Sequence, residues 1–107
     1  MSKLHLKPSP SLKDFQQYVA DMVIERKFDN VTTAETFMLF LEECGELAKA
    51  TRKAGKMRTD KNSEIFELEG EAADVFIYIL DICNRFNIDL EKAFRDKEEI
   101  NKKRTWE

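Results

Sequence analysis

Two short patterns in this 107-residue chain bring acids together: Glu43-Cys44-Gly45-Glu46 and Glu71-Ala72-Ala73-Asp74. Each is acid-x-x-acid. On a helix, residues three apart are neighbours on one face, so each pattern aims two carboxylates at one point. If the two helices pack antiparallel, as a short connection encourages, all four carboxylates converge. Oxygen-only sites of this kind suit hard cations such as Mg2+, Mn2+ or Ca2+. The chain lacks the Asp-rich loop with a central Gly that marks an EF-hand, which argues against a Ca2+ sensor. Mg2+ binds through a few carboxylates, waters and substrate phosphates, so the pattern points to phosphate chemistry.

The acids are costly without a cation. Glu42/Glu46, Glu43/Glu46, Glu64/Glu67, Glu67/Glu71 and Glu71/Asp74 are like-charge neighbours at i,i+3 or i,i+4. Each pair destabilises an isolated helix by roughly 0.2–0.5 kcal/mol. Lys49, three residues after Glu46, offsets only part of this. Glu42, Glu43 and Glu46 alone resemble the polar side of any surface helix. The second motif is what gives them weight.

That second motif lies on the stretch Glu64–Phe86, which no Pro interrupts. At 100° per residue, its apolar residues cover an arc of roughly 220°, far wider than the stripe of roughly 100° on a surface helix. The arc includes Ile65, Phe66, Ala72, Ala73, Phe76, Leu80, Cys83 and Phe86. The helix must be packed on several sides, by its own chain or by a second copy. The narrow remaining arc holds Glu64, Glu67, Glu71, Asp74 and Tyr78.

Three further helices surround it. Ser9-Pro10-Ser11 signals a helix start, with Ser as cap and Pro in the first turn, and apolar spacing carries that helix to about Lys27. Thr32 and Glu35 fit a capping box for a second helix running to about Lys53. Its apolar face is Phe37, Phe40, Leu41, Cys44, Leu47 and Ala48. The connection Ala54–Ser63, with Arg52 and Lys53 before it, carries Lys56, Arg58 and Lys61 against Asp60. It reads as a solvated loop or a phosphate-attracting flap. Asp89 caps a last helix, Leu90 to about Lys103. The stripe of Leu90, Ala93 and Phe94 on that helix turns into Lys97, Asn101 and Arg104, a lining suited to an anionic ligand. The plainer reading is basic residues favoured at a helix C-terminus by the dipole.

The expected fold is therefore all-α, one four-helix-bundle-like domain over 1–107 that oligomerises through its helices. A net charge of −3 argues against a protein that coats nucleic acid. No apolar run is long enough for a bilayer, and no signal peptide is expected from the sequence. Cys44 and Cys83 sit on apolar helix faces as buried thiols, so a cytoplasmic location is expected. His5, the only histidine, lies outside every predicted helix. It excludes a di-iron Glu-x-x-His pair within a subunit and a Ser/His or Cys/His nucleophile.

The ordered set Leu41-Glu42-Glu43-Cys44-Gly45-Glu46-Leu47, Glu71-x-x-Asp74, Asn87-Ile88-Asp89-Leu90-Glu91-x-Ala93 and Lys97-x-x-x-Asn101-x-x-Arg104 resembles the MazG-like all-α nucleoside triphosphate pyrophosphohydrolases. The resemblance covers about 33–106. The spacer between the acid motifs, Leu47 to Gly70, is near the long end for that family. Many relatives carry Gly just before the motif Asp, where this chain has Ala73 and places Gly70 before Glu71. The resemblance implies Mg2+-dependent cleavage, with Mn2+ as a substitute, of a (deoxy)nucleoside triphosphate to monophosphate and pyrophosphate. It implies house-cleaning of non-standard or excess nucleotides. A phosphoribosyl-ATP or dUTP/dCTP-specific enzyme lies within the same superfamily. Glu43, Glu46, Glu71 and Asp74 would hold metal, and Glu42 would support the site or help orient the attacking water, with Glu43 the other catalytic residue. Lys97, Asn101 and Arg104 would hold phosphate, and Tyr78 a phosphate or sugar. Relatives of this kind are dimers or tetramers. Phe15, Phe28, Phe37 and Trp106 are the aromatics available to stack on a base. The competing reading is a non-catalytic helical assembly module solubilised by an acidic face.

Overall fold

The computed structural model of the chain describes residues 1–55 and 61–106, with backbone alone over 61–65. The described residues form four helices and no strand: α1 (Leu12–Glu25), α2 (Thr33–Ala54), α3 (Lys61–Arg85) and α4 (Leu90–Lys102). The all-α expectation holds. Lys56, Arg58 and Asp60 of the expected flap lie outside the described residues, as do the side chains of Lys61, Glu64 and Ile65.

Local chemistry sets the starts. α1 begins two residues later than the Ser9-Pro10 signal implied. Ser11 is the cap: its side chain accepts from the Asp14 N–H, and the Asp14 carboxylate accepts from the Ser11 N–H at 2.8 Å. A capping box needs an acid three residues on. Ser11 has Asp14 there, whereas Ser9 has Leu12. The Thr32/Glu35 box opens α2 as expected, and Asp89 caps α4 by accepting from the Lys92 N–H at 3.1 Å. α3 opens at Lys61, so the connection before it is shorter than Ala54–Ser63.

Two ends close in the same way. Past α1, the Phe28 N–H bonds the Val23 carbonyl and the Lys27 N–H bonds that of Ile24. Past α3, the Ile88 N–H bonds Cys83 and the Asn87 N–H bonds Asn84. These are Schellman closures, which need a left-handed residue after the helix. Lys27 (φ 61°) and Asn87 (φ 56°) occupy those positions. Asn tolerates this conformation, and Lys does not. Lys27→Gly is expected to raise unfolding free energy by about 0.5–1 kcal/mol, the left-handed penalty less the extra chain entropy of Gly. A urea melt checks this, and a lower midpoint would contradict it.

The core is where α1 meets α3. Val19, Met22 and Leu80 are buried there, with Phe15, Tyr18, Val23, Phe76, Ile77 and Leu90 packed around them. Phe15 and Phe76 meet edge to face at 5.6 Å. Gln16 ties three elements: its Nε2 donates to Asn84 Oδ1 and the Ile88 carbonyl, and its Oε1 accepts from the Leu90 N–H. That locks the α3–α4 turn onto α1. α2 lies along α3 in the opposite sense. Thr36 shares a hollow with Tyr78 and Asp81, Glu43 meets Glu71 and Asp74, and Lys53 pairs with Glu67 at 3.7 Å.

The chain does not form a closed globule. Its accessible surface of 8478 Å2 exceeds by about 2,300 Å2 the area of roughly 6,200 Å2 typical of a monomer of 12.6 kDa. Its radius of gyration is 16.5 Å, against about 13 Å for a compact domain of this length. Large apolar side chains lie open on its surface: Phe37, Met38 and Leu41 on α2, Phe66 on α3, Phe86 just past its end, and Phe94 and Ile100 on α4. The wide apolar arc of α3 is thus covered by α1 and α2 only in part, leaving Phe66, Ala72, Ala73 and Phe86 exposed. No helix among the described residues is long and apolar enough to cross a membrane.

Candidate metal centre and its adjoining hollows

The antiparallel α2–α3 pair brings three of the four motif acids together. One carboxylate oxygen each from Glu43, Glu71 and Asp74 lies within 4.8 Å of the others. Glu71 Oε2 is buried and has no hydrogen-bond partner. A buried, orphaned carboxylate oxygen costs about 1–3 kcal/mol or more, and a cation removes that cost. The donor set is oxygen only, which fits Mg2+ or Mn2+ and not a thiolate- or imidazole-seeking metal. Glu46, the fourth expected ligand, is exposed and outside this group, although its charge still reaches Glu43. Glu42 is exposed as well, and its charge reaches Tyr78.

The site leaves an electrostatic mark. Burial first, then the Asp74 charge, the Glu71 carboxylate at hydrogen-bonding distance, and the charges of Glu71 and Glu46, push the Glu43 carboxyl above the usual glutamate value. Burial, then Glu43, Asp74, Asp81 and Glu42, likewise push the Tyr78 phenol up. A carboxyl whose folded pKa is raised adds stability below its unfolded pKa, and that stability is lost as pH rises through the folded value. The metal-free protein is therefore expected to lose melting temperature from about pH 4.3 upward relative to Glu43→Gln, which removes the titration. Parallel melts in EDTA check this, and superimposable pH profiles would contradict it.

Beside the acids are two hollows of about 150 and 140 Å3 that share Phe28, Tyr78 and Asp81. Asp74 lines the first and Thr36 and Arg85 the second. Of the aromatics expected to stack on a base, only Phe28 faces these hollows. The Schellman closure of α1 holds it there. Phe15 is spent in the core, Phe37 packs against Phe40, and Trp106 lies under the Arg104 guanidinium at 4.8 Å. Among the described residues a larger hollow, about 280 Å3, lies elsewhere, around Gln16 and Asn84, whose amides already bond each other.

Lys97, Asn101 and Arg104 are not brought to the acids within the subunit. α4 packs on α1, and none of the described hydrogen bonds or ion pairs links these residues to the carboxylates. Lys97 and Arg104 are exposed. Asn101 donates from Nδ2 to Glu98 at 2.9 Å, while its Oδ1 is buried without a partner. Cys83 is buried and Cys44 half-buried, both as free thiols, and burial pushes the Cys83 thiol up.

Asp81 and Arg85 are the residues that sequence reasoning passed over. They continue the polar arc of Glu67, Glu71, Asp74 and Tyr78 by one and two further turns. That spacing was the available signal.

No family model matches the chain. Among curated proteins it is similar to dCTP pyrophosphatase 1 of Homo sapiens (30% identical over 103 residues) and of Rattus norvegicus (29% over 103 residues). Each match covers 91% of this chain, and the chain spans about 60% of the length of the curated relatives it matches.

Proposed function

We propose that this chain is a MazG-like nucleotide pyrophosphohydrolase domain, which cleaves a (deoxy)nucleoside triphosphate between the α and β phosphates. The observation that carries the reading is the convergence of Glu43, Glu71 and Asp74 from two helices, with a Glu71 oxygen buried and unsatisfied. The similarity to dCTP pyrophosphatases supports it.

Glu43, Glu71 and Asp74 would hold Mg2+, with Glu46 closing from the exposed side. A divalent ion there supplies positive charge that screens the phosphate oxygens and acidifies water. Glu42 orients the attacking water and takes its proton. The new bond joins water oxygen to phosphorus, and the bond that breaks is the α–β bridging P–O bond. Tyr78, on the same face one turn past Asp74, meets the sugar or α-phosphate, and the Phe28 hollow takes the nucleoside. Lys97, Asn101 and Arg104 hold phosphate oxygens from their own or a neighbouring subunit. The active form is a homo-oligomer, dimer or tetramer, that covers the apolar surface left open by one copy. Its task is house-cleaning of non-standard or surplus nucleotides in the cytoplasm.

The test is turnover of a panel of NTPs and dNTPs with Mg2+ or Mn2+. Turnover abolished by EDTA is expected. Absence of turnover across the panel with either metal would return the chain to the assembly-module reading.

A further inference from the structure

We propose that Asp81 determines base specificity, its carboxylate accepting a hydrogen bond from an exocyclic amino group and so selecting amino-bearing bases over their oxo counterparts. This rests on the nucleotide reading above and adds to it the class of base and the residue that reads it.

Four residues of α3 form one polar stripe: Asp74, Tyr78, Asp81 and Arg85. From Asp74 to Asp81 is seven residues, which returns to the same face and advances about 10 Å along the helix. That advance suits a nucleotide lying along α3 with its phosphates at the acids and its base near Asp81. Phe28 and Tyr78 share the hollows with Asp81. The Phe28 ring can stack on any base, because every base has a π-face. Discrimination must then come from the polar group.

That group is held in place. Asp81 Oδ1 accepts from Arg85 Nε at 3.0 Å, and Arg85 Nη1 donates to the Val31 carbonyl at 2.7 Å. The two side chains are 13% and 17% exposed. The carboxylate is thus clamped to α3, and the guanidinium to the residue just before the α2 cap. None of the described hydrogen bonds uses Asp81 Oδ2. A carboxylate only accepts. It matches the amino group of cytosine, adenine or guanine, whereas the O4 of uracil would set acceptor against acceptor in a partly dry site.

The experiment compares kcat/KM for dCTP against dUTP, and dATP against dITP, in wild type and Asp81→Asn with saturating Mg2+. Wild type is expected to favour the amino member of each pair it turns over by at least about tenfold. Asp81→Asn is expected to bring the ratio to within about threefold, through KM for the amino nucleotide, with the oxo nucleotide unchanged or improved. A merely structural role would lower both members and leave the ratio alone, and that result overturns the proposal. Equal use of both members by wild type also overturns it. Should Asp81→Asn fail to fold, wild type assayed with the 4-unsubstituted pyrimidinone deoxynucleoside triphosphate decides. This analogue lacks the amino donor and adds no acceptor. A loss of at least about tenfold against dCTP supports the proposal, and equal turnover overturns it. No pyrophosphate from any nucleotide overturns the hydrolase reading itself, and this inference falls with it.

Discussion

Glu71→Ala is expected to abolish nucleotide hydrolysis, by at least about 10³-fold in kcat/KM, without lowering the stability of the metal-free protein. A bound cation stabilises transition-state charge by several kcal/mol, and each 1.36 kcal/mol is tenfold in rate. Glu71 comes from the middle of the cluster, with Glu43 on the facing helix and Asp74 one turn on. Its loss leaves Glu43, Asp74 and the outlying Glu46 without the buried oxygen that would anchor the ion between the two helices. The stability half of the prediction separates this account from a structural one. Glu71 Oε2 is buried with no partner, beside two like charges. Removing it relieves an unsatisfied acceptor worth about 1–3 kcal/mol and gives up some packing of its stem. The metal-free melting temperature should stay level or rise. Wild type in Mn2+ at a hundred times its dissociation constant should gain about 2.7 kcal/mol, and Glu71→Ala should gain nothing. A variant that melts far lower in EDTA would mean that Glu71 holds the fold rather than a cation.

The second large effect concerns self-association. A pair of substitutions on the open face of α2, Phe37→Asp with Leu41→Asp, is expected to convert an oligomer to monomer and to cost at least about 100-fold in activity. Phe37 and Leu41 lie one turn apart and are 49% and 53% exposed in the single copy. A standard interface buries about 800 Å2 per partner, and the surface excess of this subunit is more than twice that. Two buried aspartates without partners would cost several kcal/mol in such an interface. Activity should fall with association, because Lys97, Asn101 and Arg104 do not reach the acids within one subunit. Sedimentation of the wild type as a monomer at micromolar concentration would contradict this, as would full activity in a monomeric variant.

Much of this was legible in the chain because it is encoded locally. The Thr32/Glu35 and Asp89 caps are short-range hydrogen-bonding devices, and they set the starts of α2 and α4 within a residue. The spacing of Glu71 and Asp74, and the placing of Glu43, follow from helical periodicity. What sequence could not give was relation between helices. Spacing groups Glu46 with Glu43, yet Glu46 lies exposed and outside the cluster of Glu43, Glu71 and Asp74. The α4 stripe of Leu90, Ala93 and Phe94 leading to Lys97, Asn101 and Arg104 is half-buried at Leu90 and Asn101 and exposed at the other four positions. Periodicity says that a helix has a face and not which neighbour covers it. The Ser9 start failed for a local reason, because the reciprocal acid stands opposite Ser11. Asp81 and Arg85 form an i,i+4 pair, a pattern that on a helix ordinarily means a surface salt bridge. Only their burial and the Val31 tether mark this one as different.

The central claim is that the carboxylate cluster directs water to the α–β phosphoanhydride. It is tested most directly by resolving the products from the preferred nucleotide with Mg2+, for wild type beside Glu71→Ala. Monophosphate and pyrophosphate in equal amounts from wild type, and neither from the variant, is the predicted result. Diphosphate with orthophosphate, or the same pyrophosphate yield from Glu71→Ala, would contradict it.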